Sequence, residues 1–81
     1  MPIIDVKVME QVLSPAEKQA IAEGITEVFA TTVGEAARPV TWVVISDVAS
    51  GQWTMGGQPV TTEGVRQLLG RDDDAPVAAA S

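Results

Sequence analysis

The chain contains no cysteine and no histidine. Without cysteine there is no disulfide to staple the fold and no thiolate nucleophile. Without either residue, Cys/His zinc sites, the Ser-His-Asp triad and all histidine acid–base chemistry are excluded. Tyrosine is also absent, and the aromatic residues are Phe29, Trp42 and Trp53. Positive charge is scarce: five Lys and Arg stand against eleven Asp and Glu, for a net charge of −6. Nucleic-acid phosphate and anionic membrane surfaces are therefore poor partners, and neither is expected. No apolar run approaches the ~20 residues of a membrane-spanning helix. The opening Met1-Pro2-Ile3-Ile4-Asp5 lacks the basic region and long apolar stretch of a signal peptide. The expectation is a soluble, cytoplasmic protein.

What is present is a normal globular share of apolar residues, 46%, in a chain of 81. That length allows one small domain. A chain so short buries only about 60% of the surface it exposes when unfolded, so a lone monomer is marginal. With no disulfide and no metal site, the remaining route to stability is burial against further copies of the chain.

Alternation sets the first element. Ile4, Val6 and Val8 fall on one face of residues 2–9, and Asp5 and Lys7 on the other, which reads as a strand. Ser14-Pro15-Ala16-Glu17 then combines an N-cap serine, a proline at the first helical position and the glutamate of a capping box. Ile21, Ile25, Val28 and Phe29 follow at spacings of three and four, as a core-facing stripe, and Gly34 ends the helix near Thr32. Lys18, Glu23 and Glu27 fall on the solvated side. Val40 to Ile45 is apolar except for Thr41 and reads as a strand covered on both faces. Strand, long helix and strand form a βαβ unit with parallel strands and a right-handed crossover. Gly51, Gly56, Gly57 and Pro59 punctuate residues 50–59 as a turn or hairpin. Thr62 to Leu69 closes the domain as a short helix, capped by Thr61 or Thr62 and stopped by Gly70. Residues 1–70 thus form the domain, and 71–81, with Asp72-Asp73-Asp74, form a disordered acidic tail. No segment repeats.

Few residues suit chemistry. Ser14, Ser46 and Ser50 have no histidine to activate them. Glu10, Asp47 and Glu63 are carboxylates on a strongly acidic surface. The aspartate run of the tail is a solubility feature rather than a cation site, and Gly56-Gly57 is followed by no lysine in the frame of a phosphate loop. Pro2 is different. It directly follows the initiator methionine, whose removal leaves a secondary amine at the head of the first strand. An α-amine has a reference pKa of about 7.7–8.0, and desolvation lowers it further. Such an amine serves as a general base or attacks a carbonyl.

Pro2-Ile3-Ile4 opening a strand, the capped helix near residue 14, the second apolar strand and Gly51-Gln52-Trp53-Thr54-Met55-Gly56-Gly57 together resemble the tautomerase superfamily, and within it the small 4-oxalocrotonate tautomerase group. The resemblance spans residues 2–69. It implies an α/β chain of β-α-β type with parallel strands, a C-terminal hairpin and a short helix, completed by assembly into a homotrimer or homohexamer. It implies Pro2 as the catalytic base and Trp53 as the aromatic wall that keeps the site dry, where the family usually has phenylalanine. The implied reaction is an enol–keto tautomerisation of a small 2-oxo or 2-hydroxy acid or related carbonyl compound, with neither cofactor nor metal.

The departures concern substrate binding. The best-known members hold a dicarboxylate with two arginines. One belongs just after the first strand, where this chain has Gln11-Val12-Leu13; the other belongs early in the second strand, where it has Trp42. Arg38 lies four residues upstream and is the nearest candidate cation, although the role does not transfer to it by position. Trp42 is either a core or interface filler or part of the substrate site; Trp53, on a glycine-flanked turn, is a pocket wall or a subunit contact. Losing two arginines points to a less charged, more apolar carbonyl substrate. Two alternatives use the same residues: a proline-dependent hydratase, dehalogenase or decarboxylase, with Glu10 or Asp47 placing water, or an assembly or ligand-binding protein whose site has decayed.

Overall fold

The computed structural model describes residues 2–71. Strand β1 (Ile3–Met9) leads into helix α1 (Pro15–Val33), a 3₁₀ segment (Glu35–Val40) and strand β2 (Trp42–Val48). A short hairpin of β3 (Trp53–Met55) and β4 (Gln58–Val60) and a closing helix α2 (Thr62–Leu68) complete the chain. Apart from Arg71, the tail expected over 71–81 lies outside the described residues.

Local chemistry accounts for the boundaries. The Ser14 hydroxyl accepts from the Glu17 N–H at 3.1 Å, and the Glu17 carboxylate accepts from the Ser14 N–H at 2.8 Å, a reciprocal capping box. Gly34 ends α1 with φ 133°, its N–H donating to the Ala30 carbonyl at 3.0 Å. Thr61 caps α2, accepting from the Gly64 N–H at 3.1 Å. At the hairpin tip Gly56 and Gly57 have φ 60° and 82°, the paired positive angles of a type I′ turn.

β1 and β2 run parallel in register from Ile3 opposite Trp42 to Met9 opposite Val48, while β3 and β4 form a separate antiparallel pair. Helix α1 covers one face of the parallel pair. Ile4, Val6 and Val8 of β1 and Val43 and Ile45 of β2 are half-buried beneath it.

Four expectations are corrected. Val40 belongs to the 3₁₀ segment, not to the strand, because Pro39 has no N–H for a ladder and the Thr41 hydroxyl donates back to the Ala37 carbonyl at 2.7 Å. Strand β2 is covered on one face only: Trp42 and Val44 are 55% and 43% exposed, and Ile3 beside them is 67% exposed. Of the helix stripe, Ile25 and Phe29 are half-buried, but Ile21 and Val28 are exposed. Two strands are too narrow to cover so wide an apolar face. Lys18, placed on the solvated side by periodicity, is half-buried and ion-paired with Asp47 at 2.9 Å.

The core within one chain is accordingly thin. Among the described residues the buried apolar side chains are Met9, Val12 and Ala30.

Candidate functional site

Pro2 sits at the head of β1, where its carbonyl accepts from the Trp42 N–H at 3.0 Å. This bond extends the parallel ladder by one position, so the proline is anchored through its carbonyl while its nitrogen takes no part. Pro2 is half-buried. Ile3 and Trp42 are direct cross-strand partners and both are exposed, so an aliphatic and an indole side chain share the open face beside the proline. Pro2 and Trp42, two of the four residues singled out from the sequence, are thus brought together.

Trp53 is not near Pro2 in the same chain. It stands opposite Val60, whose carbonyl accepts from the Gly51 N–H at 3.1 Å. Two residues on, the Thr62 hydroxyl donates to the Glu10 carbonyl at 2.9 Å, and the Thr62 N–H donates to the Ser50 hydroxyl at 3.0 Å. The hairpin therefore hangs from the Glu10 end of β1. At about 3.3 Å per residue, Pro2 lies some 26 Å away at the other end.

Arg38 is committed elsewhere. Its Nε and Nη2 both reach Glu35, each at 2.9 Å, and its Nη1 reaches Glu27 at 3.0 Å. The guanidinium holds both carboxyl groups below the usual glutamate range, chiefly through these hydrogen bonds, and the two carboxylates raise the arginine in return. Arg38 lines an open cleft of about 580 Å³ between α1 and the start of β2, together with Glu23, Glu27, Thr41 and Val43. Neither Pro2 nor either tryptophan lines it.

The carboxylates considered as acids or bases are also engaged. Glu10 accepts from the Ser50 N–H at 2.8 Å, and Asp47 pairs with Lys18. Among the described residues no three His, Cys, Asp or Glu side chains are grouped so as to hold a metal ion.

One cluster went unread in the sequence. Gln11 has φ 60°, the only positive value at a non-glycine position among the described residues. Its carbonyl accepts from Arg66 Nη1 at 2.7 Å, and Arg66 Nη2 donates to the Arg71 carbonyl at 2.8 Å. Arg71 in turn reaches Glu17 at 2.8 Å, and that contact is the main cause of the lowered Glu17 pKa, with the Ser14 N–H next. Arg71 therefore belongs to the folded unit rather than to the tail. A Thr or Arg in a short amphipathic helix carries no signal of such a distant partner.

These features define a small β-α-β protein with a proline directly before its first strand and an open sheet face beside it. Residues 2–63 match the family model described as tautomerase enzyme. The chain is also 31% identical over 62 residues, 75% of its own length and 90% of the other's, to "Probable tautomerase K2" of Dickeya dadantii (strain 3937). No solved structure gives a significant match. The chain belongs to the tautomerase family, and its function is of the tautomerase type. Among the described residues no helix is long and apolar enough to cross a membrane.

Proposed function

We propose that the protein is a cofactor-independent isomerase in which the Pro2 amine, freed by removal of Met1, moves a proton between the enol oxygen and the α-carbon of a small 2-oxo or 2-hydroxy acid or related carbonyl compound. The observation that carries this reading is the position of Pro2. Its carbonyl is fixed by Trp42 at the head of a strand, its nitrogen is outside the ladder, and apolar side chains flank it. Loss of hydration lowers the pKa of an amine, the direction a general base requires. The proton taken from the enol oxygen is returned to carbon, so the step balances with no further reagent.

The site is completed by other copies. Trp53 and Pro2 stand at opposite ends of β1, so a Trp53 that walls the proline comes from a neighbour. The open face carrying Ile3, Trp42 and Val44 supports the same conclusion, since burying about 100 Å² of apolar surface stabilises by roughly 2.5 kcal/mol. A homotrimer or homohexamer is the expected assembly. Hydration or dehalogenation is less well supported, because Glu10 and Asp47 are already bound to Ser50 and Lys18.

Intact-mass spectrometry of the native protein tests the premise: one methionine must be missing. Light scattering tests the assembly, and a stable monomer at micromolar concentration refutes it. Turnover of an enol acid by wild type, with loss in Pro2→Ala, tests the chemistry. Full activity in that variant refutes Pro2 as the base, and no turnover by wild type with Met1 removed favours the binding-protein alternative.

A further inference from the structure

We infer that the Pro2 site selects a carbonyl compound with an apolar or aromatic body and at most one carboxylate, and discriminates against dicarboxylates. The inference rests on the reading of Pro2 as the base and deepens it.

In a site assembled from copies of this chain, the side-chain cations are its five Lys and Arg residues, whichever copy supplies them. All five are placed, and each is engaged. Lys18 binds both oxygens of Asp47, at 2.9 and 3.0 Å. Arg71 reaches Glu17 at 2.8 Å, and Arg66 donates to the carbonyls of Gln11 and Arg71. Lys7 pairs loosely with Asp5 at 3.6 Å, and it stands about 13 Å along the strand from Ile3.

Arg38 is the informative case. A guanidinium recognises a carboxylate through its planar fork. Here Nε and Nη2 form that fork on Glu35, and Nη1 takes Glu27. A substrate carboxylate would have to displace one glutamate while another remained. Glu23 and Glu27 line the same cleft, so a dianion approaching Arg38 also meets like charge.

On the open face beside Pro2, the nearest residues are apolar, and the charges further along, Asp5 and Lys7, pair with each other. Ile3 and Trp42 supply apolar surface. Among the described residues, the indole N–H groups of Trp42 and Trp53 donate to no protein acceptor. An indole N–H is a donor without charge, suited to one carbonyl or carboxylate oxygen. Two carboxylates on one substrate would leave a charge facing apolar walls with no cation to meet it.

The test uses the native protein with Met1 shown to be removed. Phenylenolpyruvate, an aryl monocarboxylate, is compared with 2-hydroxymuconate, a dicarboxylate. The expected kcat/KM favours the aryl acid by at least ~10-fold, the size of one missing charge-assisted bond. Raising salt from about 20 to about 300 mM is expected to lower KM for the dicarboxylate, because screening relieves repulsion from a chain of charge −6. Arg38→Gln is expected to leave both kcat/KM values within about twofold. A preference for the dicarboxylate, a KM for it that rises with salt, or a tenfold loss on it alone in Arg38→Gln overturns the inference and leaves Pro2 as the base. No turnover of either compound overturns the Pro2 reading, and this inference with it.

Discussion

The two ends of β1 are built differently. At the Glu10 end, polar groups meet within the chain: Thr62 bonds the Glu10 carbonyl, Glu10 bonds Ser50, Arg66 holds Gln11, and Arg71 joins the Ser14–Glu17 capping box. At the Pro2 end one ladder bond from Trp42 holds the terminus, and Ile3, Trp42 and Val44 face outward. Hydrogen bonds are local and directional, so one chain can satisfy them alone. Apolar cover needs area, and two strands with one helix do not have enough of it. The polar end is satisfied within the chain; the apolar end is left open.

Substitutions at the two ends should therefore fail in different currencies. The largest effect is expected from Pro2→Ala, with turnover down about 10²- to 10⁴-fold while circular dichroism and assembly stay unchanged. A primary amine in that place differs in basicity and freedom, but Pro2 donates no ladder bond for the fold to lose. Trp53→Ala is expected to slow turnover by about tenfold, by wetting the proline and returning its amine toward the ordinary value. A pH–rate profile shifted upward by about one unit marks that cause; an unshifted profile assigns Trp53 to packing alone.

For the polar contacts made within the chain at the Glu10 end the loss should be in stability. Thr62→Val leaves the Glu10 carbonyl without its partner and is expected to cost about 1–3 kcal/mol in urea unfolding, with kcat little changed. Ser14→Ala removes the N-cap hydroxyl and is expected to cost about 1 kcal/mol. Equal loss of activity and stability in both variants would dissolve the contrast between the ends.

Acid gives the smallest and most diffuse effect. Glu17, Glu27 and Glu35 are all held below the ordinary glutamate value by arginine. A carboxyl group with a lowered folded pKa stabilises above its unfolded value and loses that contribution as pH falls through the folded one. Stability should thus be flat near neutrality and fall below about pH 4.3. Since Glu27 and Glu35 are exposed and Glu17 is only half-buried, salt should blunt the fall. Arg71→Ala should reduce the part due to Glu17, which thermal melts at pH 3 and pH 7 will resolve.

Much of this was legible from residues alone, where the signal is local. The capping box at Ser14, the glycine stop at Gly34, the paired glycines at 56 and 57, and the alternation of β1 each act over a few residues and form as read. The family resemblance was carried by the same local features. Arg38 was legible as a nearby cation but not as one already matched by Glu27, eleven positions earlier and on another element. Periodicity misplaces Lys18 for the same reason, because its partner Asp47 lies far along the chain.

By itself, then, the sequence determined the order of elements, the proline at the head of the first strand, and the poverty of cations. Periodicity, capping and composition are properties of neighbours in the chain. Only the tertiary structure decided that Trp42 meets Pro2 while Trp53 stands at the far end of β1, that Arg38 is tied to two glutamates, and that one face of the sheet is left open. Those facts depend on the β1–β2 register and on how much area two strands can cover, and both are set when distant segments pack.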